Sequence, residues 1–147
     1  MLAAVLHDVG KVGIPSSIVM KPGPLNGEEW AVMRKHPQIG ASMVEGAAQD
    51  ELAEWVHCHH ERPDGSGYPR GLTGDEIPLE ARIVAVADAY EAMTHDRVYR
   101  PAIGHEAACR ELQDGAGTQF DEEIVDAFMR VLKVERAATG LRSALRR

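Results

Sequence analysis

The chain has 147 residues, 44% hydrophobic and 27% charged, with 16 basic and 23 acidic side chains and a formal charge of −7. These values describe one soluble globular domain with its own core, neither disordered nor fibrous. The acidic balance excludes a general binder of duplex nucleic acid, which needs a basic surface, but admits a small anionic substrate met by a few placed cations.

The apolar start, residues 1–6, is too short to span a membrane and has no basic segment of the signal-peptide kind. Cys58 and Cys109 stand far apart with no CxxC pair, as expected of two reduced thiols in a cytoplasmic protein. Residues 2–8 read as the last turns of a buried helix, broken by Gly10, Gly13 and Pro15. After the turn-rich Lys21-Pro22-Gly23-Pro24, Asn26 and Glu29 form the pattern of a capping box. A helical segment follows over 27–47, with Pro37 predicting a break. Residues 50–60 form a short helix with Leu52, Trp55, Val56 and His59 on one stripe. Residues 61–78, rich in Gly, Pro, Asp and Arg, form a long irregular loop, a kind of segment that often carries function. Helices are predicted over 79–94, 105–113 and 121–132, and a basic tail over 133–147. The architecture is all-α.

Polar residues stand where a helical core would be apolar. His7-Asp8 closes the first apolar run, and adjacent helical residues point about 100° apart, so the pair could serve two neighbouring metal ions. A histidine interacting with the dipole at a helix end is the simpler alternative. Asp88 lies in Ile83-Val84-Ala85-Val86-Ala87-Asp88-Ala89-Tyr90, where a buried carboxylate must find a metal, several donors or an arginine. His59-His60 end an apolar stripe and open into the Gly-rich loop. His36 alone would be an ordinary surface histidine. Together, His7, Asp8, His36, His59, His60 and Asp88 have the makeup of a two-metal site inside a bundle. The imidazole and carboxylate set suits first-row metals, not calcium.

The ordered motifs are similar to those of the HD-GYP family, within the HD superfamily of metal-dependent phosphohydrolases. His7-Asp8-Val9-Gly10-Lys11 resembles the HD signature. His59-His60-Glu61-Arg62-Pro63-Asp64-Gly65-Ser66-Gly67-Tyr68-Pro69 resembles HHExxDGxGYP. Ile77-Pro78-Leu79-Glu80-Ala81-Arg82-Ile83, Asp88-Ala89-Tyr90-Glu91-Ala92-Met93-Thr94, Asp96-Arg97-Val98-Tyr99-Arg100 and Gly117-Thr118-Gln119-Phe120-Asp121 follow in order.

The resemblance implies an HD-superfamily helical bundle over 1–132 with a Gly/Pro-rich substrate loop, and 133–147 as a tail. It implies two divalent transition metals, iron or manganese first and zinc, nickel or magnesium as alternatives, held by His7, Asp8, His36, His59, His60 and Asp88. Asp8 and Lys11 would be catalytic. Gly67, Tyr68, Pro69, Arg97 and Arg100 would bind substrate, although salt bridges to the bundle would equally explain one of the two arginines. Glu61 and Asp64 are expected to order the loop, and His57, His95 and His105 to stand outside the ligand set. The implied activity is hydrolysis of cyclic di-GMP to pGpG and onward to GMP. Alternatives are a weakly catalytic signalling module that contacts a diguanylate cyclase or regulatory domain, and a hydrolase of another cyclic dinucleotide.

Three departures stand out. Pro63 replaces a residue often aromatic, and Val98 replaces a common proline. The family's upstream helix, with a further histidine ligand, has no counterpart before His7. The expectation is therefore a chain truncated at its start, with an incomplete metal site. Apolar residues such as Leu2 and Val5 would be left exposed and could support a homodimer.

Overall fold

The computed structural model describes residues 2–45, 50–96 and 101–144, with side chains through Glu135. The described residues form eight helices in order: α1 (Leu2–Leu6), α2 (Ser16–Val19), α3 (Gly27–Met33), α4 (His36–Glu45), α5 (Asp50–Cys58), α6 (Leu79–Thr94), α7 (His105–Asp114) and α8 (Glu122–Ala144). Two 3₁₀ turns, Val9–Gly13 and Gly74–Glu76, join them. Among the described residues, only two isolated β-bridges interrupt the helical pattern, Asp64 with Thr73 and Ala116 with Phe120.

Local chemistry accounts for most boundaries. The Asn26 side chain accepts from Glu29 N–H and the Glu29 carboxylate accepts from Asn26 N–H, so the capping box is complete. The predicted break in 27–47 falls at residues 34–35, and Pro37 sits buried in the first turn of α4, where its missing N–H costs nothing. Asp121 Oδ1 accepts from Ile124 N–H, which caps the start of α8. That helix continues to Ala144, well past the expected end at residue 132. No Gly or Pro stands at 133–139 to stop it, and Leu132, Lys133, Glu135 and Arg136 all favour helix.

α6 is the central strut, packing against α1, α5, α7 and α8. Val84 joins Ala3, Val44, Leu52 and Val56 in one core cluster. Val86 joins Leu112, Phe120 and Val125 in a second, flanked by Phe128 and Met129. Each fully buried valine or leucine contributes about 1.5–3 kcal/mol, so α6 is anchored from both sides and holds Asp88 at a fixed height. α1 is only partly buried: Ala3 faces the core, while Leu2 and Val5 are exposed as expected. Among the described residues, no helix is long and apolar enough to cross a membrane.

Candidate metal centre and active site

Four helices deliver the polar cluster to one place. His7 and Asp8 follow α1, His36 opens α4, His59 and His60 follow α5, and Asp88 lies midway along α6. The first 3₁₀ turn packs tightly on α4. A Cβ at Gly10 would overlap the His36 carbonyl and the Gly40 backbone nitrogen. Glycine at 10 therefore lets Asp8 approach within 3.4 Å (Oδ1) of His36 Nε2.

Three histidines use the same local device. Nδ1–H of His7 donates to the Ala4 carbonyl (2.9 Å), that of His36 to Met33 (2.8 Å) and that of His59 to Val56 (2.6 Å). A carbonyl only accepts, so Nδ1 carries the proton and Nε2 presents a lone pair to the centre. His36 Nε2 and His59 Nε2 then face each other at 3.4 Å. His7 Nε2 is buried without a hydrogen-bond partner among the described residues, 3.5 Å from Asp8 Oδ2 and 3.6 Å from Asp88 Oδ1. Converging lone pairs and carboxylates require a proton or a cation between them, so this donor set fits divalent metal. His36, His59 and His60 offer nitrogens all within 4.8 Å of one another, a group that could hold an ion.

Electrostatics agree with ligand chemistry. Burial depresses His36 below the ordinary imidazole range. It takes His59 to about 4 and His60 to about 2, with neighbouring imidazoles adding to the effect. These rings are neutral near pH 7 and available to metal without proton competition. His7 moves the other way, raised chiefly by the Asp88 carboxylate against the opposing effect of burial. Lys11 Nζ lies 2.5 Å from Asp8 Oδ2, so its ammonium stands at the edge of the cluster.

The 61–78 loop is irregular but firmly held. Glu61 is buried and accepts from the backbone N–H groups of Arg70 (Oε1, 2.6 Å) and Leu72 (Oε2, 2.9 Å). Asp64 Oδ1 accepts from both the amide and the hydroxyl of Ser66, and Asp64 N–H donates to the Thr118 carbonyl. Both acidic residues order the loop, as expected. A Cβ at Gly67 would overlap Arg62 N and Glu61 Cα, because the loop folds back onto its own start. Tyr68 N–H donates to the His60 carbonyl, and its ring stacks on His60 at 4.8 Å between centroids. The Tyr68–Pro69 bond is cis.

Two clefts meet at this stack. One, of about 700 Å³, includes Trp30, Arg34, Arg62, Tyr68, Asp88 and Gln119 in its lining. The other, of about 640 Å³, includes Lys11, Lys21, Trp30, His36, Tyr68 and Asp88. The structure thus brings together all six expected ligand positions, with Lys11, Gly67 and Tyr68 around them. Pro69 is exposed beside Tyr68, and Arg97 and Arg100 lie outside the described residues. Arg82, an arginine near Asp88 in sequence, pairs instead with Asp121 at 2.6 Å. His95 is exposed, and His105 bonds the Tyr90 hydroxyl at 2.7 Å, away from the ligand set. Sequence reasoning missed Trp30, Arg34, Arg62 and Gln119 as cleft residues. Arg62 sits inside the signature loop, and Trp30 and Arg34 precede His36 by six and two residues, the signals that were there to read.

A helical bundle that brings four histidines and two partly exposed aspartates to one place defines the class of helical domains with a candidate metal centre. The chain belongs to the HD domain family, whose model matches residues 1–124. It is 45% identical over 138 residues to a cyclic di-GMP phosphodiesterase of Vibrio cholerae serotype O1, covering 88% of this chain and 28% of that protein. It is 40% identical over 130 residues to 3′3′-cGAMP-specific phosphodiesterase 2 of the same organism, covering 86% of this chain and 25% of that protein. The crystal structure of a cyclic GMP-AMP specific phosphodiesterase from V. cholerae superposes with a TM-score of 0.70 at 19% identity, covering 95% of this chain and 39% of that one. The chain thus spans about a quarter to two fifths of the proteins it matches.

Proposed function

We propose that residues 1–132 form the catalytic core of a metal-dependent phosphodiesterase that hydrolyses cyclic di-GMP to pGpG and onward to GMP. The observation that carries this reading is the set of Nε2 lone pairs and carboxylates converging between α1, α4, α5 and α6. The likeness to a cyclic di-GMP phosphodiesterase supports the substrate. Core contacts reach Met129, so the first part of α8 belongs to this core.

His7, Asp8, His36, His59, His60 and Asp88 would hold two divalent transition metals, iron or manganese being first choice for this donor set. When bound, such ions supply Lewis acidity, making water a nucleophile near neutral pH and neutralising phosphoryl charge. Asp8 would take the proton that the attacking water gives up. Lys11 places positive charge beside the phosphate being cut. Tyr68 walls the substrate against His60, with Gly67 and Pro69 shaping the loop around it. Arg97 and Arg100 are proposed phosphate grips on the resemblance alone. One bond forms, from water oxygen to phosphorus, and one breaks, from phosphorus to the 3′-oxygen, which leaves with a proton. The phosphate stays on the 5′ side, giving pGpG.

A second cyclic dinucleotide, 3′3′-cGAMP, is a competing substrate, favoured by the 40% identical relative that carries that name. Elemental analysis combined with hydrolysis of both dinucleotides by the metal-loaded chain tests the reading. Bound metal with faster turnover of cyclic di-GMP supports it, and metal-loaded protein that cuts neither compound removes it.

A further inference from the structure

We propose that Arg34 and Arg62 form a subsite for the phosphodiester that is not being cut, with Trp30 offering a face to the attached base. The inference rests on the cyclic dinucleotide reading above. Such a substrate carries two phosphates across one ring. Only one can sit at the metal cluster, and the other must be neutralised elsewhere.

The two clefts differ in free charge. Lys11 and Lys21 line one, and each is held in an ion pair, with Asp8 and with Glu29, at 2.5 Å each. Arg34 and Arg62 line the other. Neither is in an ion pair with any described residue, whereas Arg70 pairs with Glu54 and Arg82 with Asp121. The acidic groups in that cleft are already engaged: both oxygens of Glu61 hold backbone amides, and Asp88 lies beside His7. Arg62 has Asp64 as an electrostatic neighbour but forms no ion pair with it, so two guanidinium groups still face that cleft outside any described ion pair, and their planar donors suit a phosphodiester.

Arg34 is also held in place. Its Cζ lies 5.3 Å from the centroid of Tyr68, and the Tyr68 ring also stacks on His60 at 4.8 Å. A cation over an aromatic face is attracted by the ring quadrupole. Arg34 thus stands two stacking steps from a candidate metal ligand, a reach that suits the second phosphate of one compact ring. Trp30 lies one helical turn before Arg34, 46% exposed, on the same wall. An exposed tryptophan beside a guanidinium that forms no described ion pair is a stacking platform for a purine.

The test compares cyclic di-GMP with bis(p-nitrophenyl) phosphate, which has a single phosphodiester, on the metal-loaded chain. In Arg34→Ala and Arg62→Ala, the Kd and KM for cyclic di-GMP should rise at least tenfold. The ratio of kcat/KM for cyclic di-GMP to that for the simple diester should fall at least tenfold. Arg34→Lys should recover part of the loss, and Arg110→Ala, on exposed α7 surface, should behave as wild type. A ratio unchanged in both alanine variants, or equal losses on both substrates, overturns the subsite while leaving the phosphodiesterase reading intact. Wild-type protein that cuts the simple diester but neither binds nor cuts cyclic di-GMP overturns the substrate reading and the subsite with it.

Discussion

Gly10 and Gly40 meet backbone to backbone: a Cβ built on Gly40 would lie 3.2 Å from Gly10 N, and one on Gly10 would overlap Gly40 N itself. This contact sets the distance between the His7-Asp8 segment and His36. Gly10→Ala should therefore destabilise the protein by about 1–3 kcal/mol, the usual range for overpacking, and reduce bound metal at the same time. Urea unfolding and elemental analysis of one preparation check both. A variant with wild-type midpoint and metal content would show that the crossing has slack.

The ligand assignment predicts that His60→Ala and Asp88→Asn each lose at least half of the bound transition metal, with helical content preserved. Asp88→Asn keeps the shape of the side chain and removes the charge, so a loss there reports coordination and not packing. Full metal content in both variants would remove these residues from the site.

Tyr68 stacks on His60 and under Arg34, so Tyr68→Ala should weaken cyclic di-GMP binding about tenfold or more while metal content stays near wild type. Base stacking on an aromatic ring is worth about 1–3 kcal/mol. Isothermal titration with metal-loaded protein measures it. Loss of metal in this variant would make the tyrosine a support for His60 rather than a substrate contact.

Glu61 holds the amides of Arg70 and Leu72 from a buried position. Glu61→Ala orphans two donors, at about 1–3 kcal/mol for each that stays buried. Hydrogen exchange at Arg70 and Leu72 should accelerate selectively, with the amides of α6 little changed. Uniform acceleration across the chain would instead mark Glu61 as a determinant of global stability.

The metal-free protein should lose stability as pH falls from 7 to 5. Ordinary imidazole titrates near 6.5, while His36 is depressed and His59 and His60 sit at about 4 and about 2. Below 6.5 the unfolded chain takes up protons that the folded chain refuses, so the contribution of these three residues is present above 6.5 and lost on acidification. His7 is raised and acts oppositely, its contribution being present below 6.5 and lost as pH rises through its folded value. His57 is likewise depressed by burial, so four histidines against one decide the sign. Urea midpoints in chelator at pH 7 and 5 check it; an equal or higher midpoint at pH 5 would contradict the burial of these rings.

The sequence by itself determined the helical segments, the capping box and the ligand candidates. Each rests on local chemistry: apolar periodicity over 79–94, the reciprocal reach of Asn26 and Glu29, and histidine pairs ending apolar stripes. It also predicted that Glu61 and Asp64 order the loop. The end of α8 was misplaced, because the basic residues after 132 were read as a tail although nothing in their propensity stops a helix.

Only the tertiary structure decided which lone pairs face one another. The tautomers of His7, His36 and His59 follow from carbonyls three residues back, a local fact, but the 3.4 Å approach of His36 to His59 requires α4 and α5 to pack. The same holds for the Arg34 and Arg62 wall. These residues are 28 apart in the chain, and the fold brings both to one cleft without placing either in an ion pair with a described residue. Pairing between distant side chains depends on the path of the backbone, which no local pattern in the sequence encodes.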